Sequence, residues 1–171
     1  MIKKTLSFLF AAMLAGQAMA ADFEKDGLYY NITSSDEPKT VELVREGGDF
    51  SNSYTNLTTV SIPETVVYND VTYSVTGIGE RAFYSCRKLE TVTASSIISI
   101  GEQAFEGCNE LTSATFGDNL QSIGYYAFSA CVKLESFTFG PSVKSIGEDA
   151  FAACYSLDTV IIPETVTEMG G

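Results

Sequence analysis

Apolar residues in the second half of the chain recur as one phrase, Ile-Gly-x-x-Ala-Phe-x-x-Cys-x-x-Leu, at residues 78–89, 100–111, 123–134 and 146–157. Successive copies begin 22, 23 and 23 residues apart, and self-similarity at such a period predicts a coil of stacked repeats. After the Leu of each copy, apolar side chains follow at steps of three and two: Leu89, Val92, Ala94; Leu111, Ala114, Phe116; Leu134, Phe137, Phe139; Leu157, Val160, Ile162. The last two of each set alternate with Thr or Ile, which is strand periodicity, so each coil should give one short strand to a parallel sheet. Turn-forming runs then reverse the chain at Gly117-Asp118-Asn119, Gly140-Pro141-Ser142 and Pro163-Glu164-Thr165. Ile97, Leu120, Val143 and Val166 re-enter the core beyond those turns. The Gly-x-x-Ala-Phe leg is expected to form a helical turn, since Glu80, Glu102 and Glu148 stand where a helix dipole favours negative charge.

The spacing Leu-x-x-Leu-x-Leu is that of the strand segment of leucine-rich repeats. The expected fold is thus a β-rich α/β solenoid, a leucine-rich-repeat right-handed superhelix with an N-terminal β cap. A disguised coil precedes the four obvious ones, because Leu57, Val60, Ile62, Pro63, Glu64, Thr65 and Val66 match Leu157, Val160, Ile162, Pro163, Glu164, Thr165 and Val166. Between it and Ile78 lies an insertion near 67–76, where Tyr68-Asn69-Asp70-Val71-Thr72-Tyr73 reads as a hairpin turn between alternating strands. Residues 27–33 and 39–46 read as two more strands. The predicted organisation is a signal peptide over 1–20, a β-rich cap over 21–53 and a solenoid of about five coils over 54–171.

The leader follows from Lys3 and Lys4, an apolar stretch over residues 6–14, and Ala18-Met19-Ala20, the order of charged, apolar and small residues in a secretory signal. The apolar stretch is too short to span a bilayer, and the mature chain is expected to be secreted, at the cell surface or in the periplasm. Loss of the two lysines leaves 22 acids against 8 bases, a net charge of −14 in place of −12. Such a field repels nucleic acid and anionic lipid, so neither is an expected partner. Cys86, Cys108, Cys131 and Cys154 occupy one slot of successive coils. Stacked side chains roughly 4.8 Å apart suit packing better than a disulfide, and we read these cysteines as small buried hydrophobes.

The chain has no His, and with no Cys-His pairing or metal-ligand spacing the sequence points to no enzyme, no metal and no cofactor. Gly77-Ile78-Gly79-Glu80-Arg81-Ala82 fits a dinucleotide-binding pattern, but its second Gly and its Ala belong to the repeated phrase. Adjacent carboxylates such as Glu148 and Asp149 do not face each other on a helical turn. Asn31-Ile32-Thr33 and Asn56-Leu57-Thr58 are glycosylation sequons by letter only.

Specificity must lie in unrepeated, outward positions. Thr59, Thr91, Ser113, Ser136 and Thr159 form one column, and Ser61, Thr93, Thr115, Thr138 and Ile161 a second. Thr suits strands and keeps an exposed face soluble, yet a hydroxyl face also offers hydrogen bonds to a protein or glycan. Tyr125 and Tyr126 replace the usual polar pair after Gly124 and would suit stacking on a sugar. The candidate ligand-binding residues are therefore Thr91, Thr93, Ser113, Thr115, Ser136, Thr138, Tyr125 and Tyr126.

The repeated phrase at its 23-residue period resembles the BspA-like subclass of leucine-rich repeats, found in surface proteins of mouth and gut bacteria, over residues 57–171. The resemblance implies an extracellular adhesion or protein-binding role, with members that engage fibronectin, fibrinogen and host cells; it transfers no catalytic or binding residue. Against many relatives, about five coils are expected here, without a long array or appended anchors. The leading expectation is a non-enzymatic adhesion module that docks a matrix-type protein on its concave sheet face and flanking loops, the alternative a glycan-binding or envelope-scaffolding protein. Five rungs about 4.8 Å apart, three to four residues deep, present only roughly 250–300 Å², against ~800 Å² per partner in a specific interface. Weak single-site binding is expected. Met169-Gly170 occupies the Ile-Gly slot of a further copy, so Leu157, Val160 and Ile162 should lie at an open edge, where a weak homodimer could form.

Overall fold

A computed structural model describes residues 20–47 and 53–170; the leader expected over 1–20 lies outside the described residues but for Ala20. The chain opens with β1 (Phe23–Lys25) and β2 (Leu28–Ser34), joined by Asp26 and Gly27 at φ 53° and 79°, the left-handed pair a tight two-residue hairpin turn requires. Antiparallel to β2 runs β3 (Thr40–Val44). Then come β4 (Thr59–Ile62), β5 (Thr65–Tyr68) and β6 (Val71–Ile78). The hairpin expected in the insertion forms between β5 and β6, turning at Asn69 and Asp70 with φ 50° and 62°.

From β6 onward the chain stacks. Two parallel sheets rise together, one built from β4, β7 (Thr91–Ala94) and β9 (Ser113–Phe116). The other joins β6 to β8 (Ser99–Ile100), β10 (Ser122–Ile123), β11 (Ser145–Ile146) and β12 (Glu168–Met169). Because β3 pairs in parallel with β6, the N-terminal strands continue this second sheet. One strand per coil was expected. The strands expected over 137–139 and 160–162 do not form and only a bridge at Ser136 remains, whereas two strands are found in the coils that hold β4 with β6, β7 with β8 and β9 with β10. The second arises at the Ile-Gly slot, where coils meet so closely that a Cβ on Gly101, Gly124 or Gly147 would lie 2.7, 2.7 or 2.5 Å from a backbone nitrogen of the previous coil.

The return leg corrects a further expectation: it contains no helix. Residues 81, 85, 103, 107, 126, 130, 149 and 153 all have φ between 53° and 73°, a left-handed conformation every fourth residue that an α-helix cannot contain. Amide groups alternate in where they donate. Those of Arg81, Phe83 and Ser85 reach the carbonyls of Glu102, Ala104 and Glu106 in the next coil, while Ala82, Tyr84 and Cys86 bond three residues back in their own. The leg is a run of overlapping turns stitched to its neighbours, and the architecture is strand and turn rather than α/β.

The core is a set of columns. Phe83, Phe105, Phe128 and Phe151 stack with centroids 5.1, 5.0 and 5.3 Å apart and planes within 9°. Tyr54 closes the column against Phe83 at 5.0 Å. Its hydroxyl donates to the Val44 carbonyl and accepts the Tyr29 amide, at 2.7 and 2.8 Å. The four cysteines stand as thiols. The Sγ of Cys108, Cys131 and Cys154 each donates at 3.2 Å to a Phe carbonyl of the preceding coil, on Phe83, Phe105 and Phe128. Burial pushes these thiols up from their ordinary value of 9.0, Cys154 to about 11. Among the described residues no helix is long and apolar enough to cross a membrane.

Candidate functional site: a hydroxyl-lined sheet face

Strands β4, β7 and β9 alternate buried apolar with outward hydroxyl residues, and side chains two apart share a face. Val60, Val92 and Ala114 point inward; between them the register sets Thr59, Thr91 and Ser113 in one column and Ser61, Thr93 and Thr115 in another. A bridge from Ser113 to Ser136 extends the first column into the fourth coil. All these hydroxyl residues are exposed except Thr91, which is half-buried. In the last coil Ile161, 81% exposed, interrupts the second column. The structure thus brings together six of the eight candidates: Thr91, Thr93, Ser113, Thr115, Ser136 and Thr138.

The remaining two stand elsewhere in the coil. Tyr125 and Tyr126 open the turn leg after β10, their ring centroids 4.0 Å apart at 82°. Hydrogen bonding to Tyr125, then to Asp149, holds the Tyr126 hydroxyl well above the ordinary phenol range. Tyr125 remains 40% exposed. In the same slot one coil earlier, Gln103 accepts from Arg81 Nε at 2.7 Å and donates to Glu106 at 2.5 Å. This part of the surface is a polar ladder along the coils, with the tyrosine pair set into it.

Two shallow grooves lie on the hydroxyl face. One, of about 220 Å³, runs past Ser61, Thr93 and Ser95 to Phe116. The other, of about 370 Å³, shares Thr115 and Phe116 with it and continues to Asp118, Thr138, Phe139 and Pro141. The residue types explain the second groove. The slot that holds Ala94 in one coil holds Phe116 and Phe139 in the next two, and these rings stay half-buried because the column already fills the interior. Phe116 meets Phe105, Phe128 and Phe137 at 6.3, 6.1 and 6.0 Å. Phe139 meets Phe137 and Phe151 at 4.9 and 5.7 Å. Gly117 approaches so closely that a Cβ would lie 2.0 Å from the Ser95 carbonyl, and Gly140 packs against Asp118. Phe116, Asp118, Phe139 and Pro141 were not among the sequence candidates; the change from Ala to Phe at one repeated slot is the signal that marks them.

No group of three or more Cys, Asp or Glu side chains that could hold a metal ion occurs among the described residues. The lining offers hydroxyl donors and acceptors, aromatic edges and a carboxylate.

Comparison with known proteins places these features in context. The sequence profile described as "BspA type Leucine rich repeat region" matches residues 76–171 in six copies. A leucine-rich repeat protein from Bacteroides ovatus is 37% identical with a TM-score of 0.74, over 87% of this chain and 37% of that one. The T. pallidum leucine-rich repeat protein is 30% identical with a TM-score of 0.73, over 86% of this chain and 64% of that one. A leucine-rich cell surface protein from Faecalibacterium prausnitzii shares the fold, at 24% identity and a TM-score of 0.65, over 92% of this chain and 46% of that one. This chain therefore spans little more than a third of the first of these and less than two thirds of the second. The search of curated proteins returned no match.

Proposed function

Because the chain belongs to the BspA-type leucine-rich-repeat family, we propose that it is a non-enzymatic module, secreted or held at the cell surface, that docks an extracellular protein on its hydroxyl face. The observation that carries this reading is the registered pair of hydroxyl columns with two adjoining grooves. Residues 21–53 serve as the cap in this reading, since β2 and β3 extend the sheet beyond β6 and Tyr54 closes the aromatic column. The signal segment and net charge of −12 fit an extracellular site and make polyanions poor partners.

The face is small for a specific interface, which covers about 800 Å² per partner, so single-site affinity should be weak and display of several copies should strengthen it about 10²–10⁴-fold. The test is binding to immobilised matrix proteins, fibronectin and fibrinogen among them, by single and tetramerised protein. Weak single-site binding, strengthened on tetramerisation and lost in Thr93→Lys/Thr115→Lys, is the expected result. Nanomolar one-to-one binding that survives the double substitution would overturn it.

A second reading rests on the exposure of Tyr125, which leaves part of a ring for stacking on a sugar. A glycan array comparing wild type with Tyr125→Ala/Tyr126→Ala separates the two: signal that vanishes in the variant supports the glycan reading, and an empty array removes it.

A further inference from the structure

We propose that the groove bounded by Phe116, Asp118, Phe139 and Pro141 receives a lysine or arginine side chain of the docked protein. The inference rests on the docking reading and adds the chemistry of the partner. Each wall of the groove bears on one part of such a side chain. Two half-buried phenylalanines and a proline offer apolar surface to an alkyl stem, and a carboxylate with two threonine hydroxyls stands ready for its charged head. Long cationic side chains lie this way on apolar surface with the charge kept in a polar or wet position.

Charge decides against the other occupants. Asp118 is exposed, no ion pair found among the described residues includes it, and no Lys or Arg lines the groove. The acidic chain already carries a net charge of −12, so an anionic group would be repelled. A purely apolar side chain would strip water from the carboxylate and return no hydrogen bond. A sugar ring is disfavoured on different grounds: Phe116 and Phe139 are both half-buried, which leaves less ring surface than stacking on a sugar uses. The neighbouring groove repeats the arrangement in weaker form, with Glu64 held beside it by the Ser95 hydroxyl at 2.8 Å. A basic segment crossing the coils therefore meets an acid at the turn after β4 and again, two coils on, at the turn after β9.

The experiment is a titration followed by backbone amide NMR, using the peptide acetyl-Gly-Lys-Gly-amide and its norleucine and glutamate counterparts. The expected result is saturable shifts from the lysine peptide, confined to Thr115, Asp118, Thr138 and Phe139, weakened about fivefold or more by Asp118→Asn, by norleucine and by raised salt. Shifts scattered over the acidic surface, or identical in Asp118→Asn, would overturn the proposal. So would equal binding of the norleucine peptide to wild type, an arm that needs no variant to fold. The same spectra with a matrix protein keep the two readings apart. Shifts on the hydroxyl face with none from the lysine peptide leave docking standing and remove the basic side chain; a face silent to both removes both.

Discussion

The side chains that repeat are those buried between the coils, and the phenylalanine column is one of them. Phe105 is 0% exposed with a parallel ring on either side, so Phe105→Ala should cost about 3–5 kcal/mol. Phe151, half-buried in the last complete copy of the phrase, should cost less when truncated, and urea unfolding of the two variants checks the order. The thiols add a pH dependence. Their folded pKa values lie above the ordinary 9.0, so the stability they contribute is fully present below pH 9 and is lost as pH rises above it, through about 11 for Cys154 and higher for Cys131, with Cys108 raised in the same direction by burial. Tyr30, pushed by burial from 10.0 to about 12, acts in the same direction higher still. The urea midpoint should hold from pH 7 to 8.5 and fall above pH 9, less steeply in Cys131→Ala; a midpoint flat to pH 11 would contradict this. The packing role of the cysteines was legible because they share one slot. Tyr54 was not, because it sits outside the repeat and nothing local marks a residue that closes a column.

At the scale of elements, β4, β7, β9 and the β5–β6 hairpin followed from alternation and from Asn69-Asp70, whereas the two-residue strands at the Ile-Gly slot and the return leg did not. Its apolar residues Ile78, Ala82, Phe83, Cys86 and Leu89 fall at offsets that also suit a helix face, and its left-handed positions are filled by Arg81, Ser85, Gln103, Tyr126, Ala130 and Ala153, with only Gly107 and Asp149 of types that favour such a φ. One substitution distinguishes the two structures by sign. At φ 57°, Ala130→Gly should stabilise the protein by about 1 kcal/mol, while within a helix it would destabilise by about as much. The coil contact at the Ile-Gly slot has the opposite sensitivity. A Cβ at Gly124 would lie 2.7 Å from two backbone atoms of the previous coil, so Gly124→Ala should destabilise by about 1–3 kcal/mol, read as a lowered melting temperature.

For the molecule as a whole, the repeated pattern made the solenoid and both hydroxyl columns readable, but the grooves were hidden because they depend on how far Phe116 and Phe139 sink into a core already filled. The last coil leaves Tyr155 81%, Ile161 81%, Ile162 41% and Met169 65% exposed. The central claim is that the repeated residues hold the fold, and the unrepeated hydroxyl face carries recognition. Its most direct test is one sample of Thr93→Ala/Thr115→Ala/Thr138→Ala, assayed for melting temperature and for binding to the matrix protein that the wild type captures. The account expects a melting temperature within a few degrees of wild type and binding abolished. Binding retained at full strength by this folded variant would contradict it.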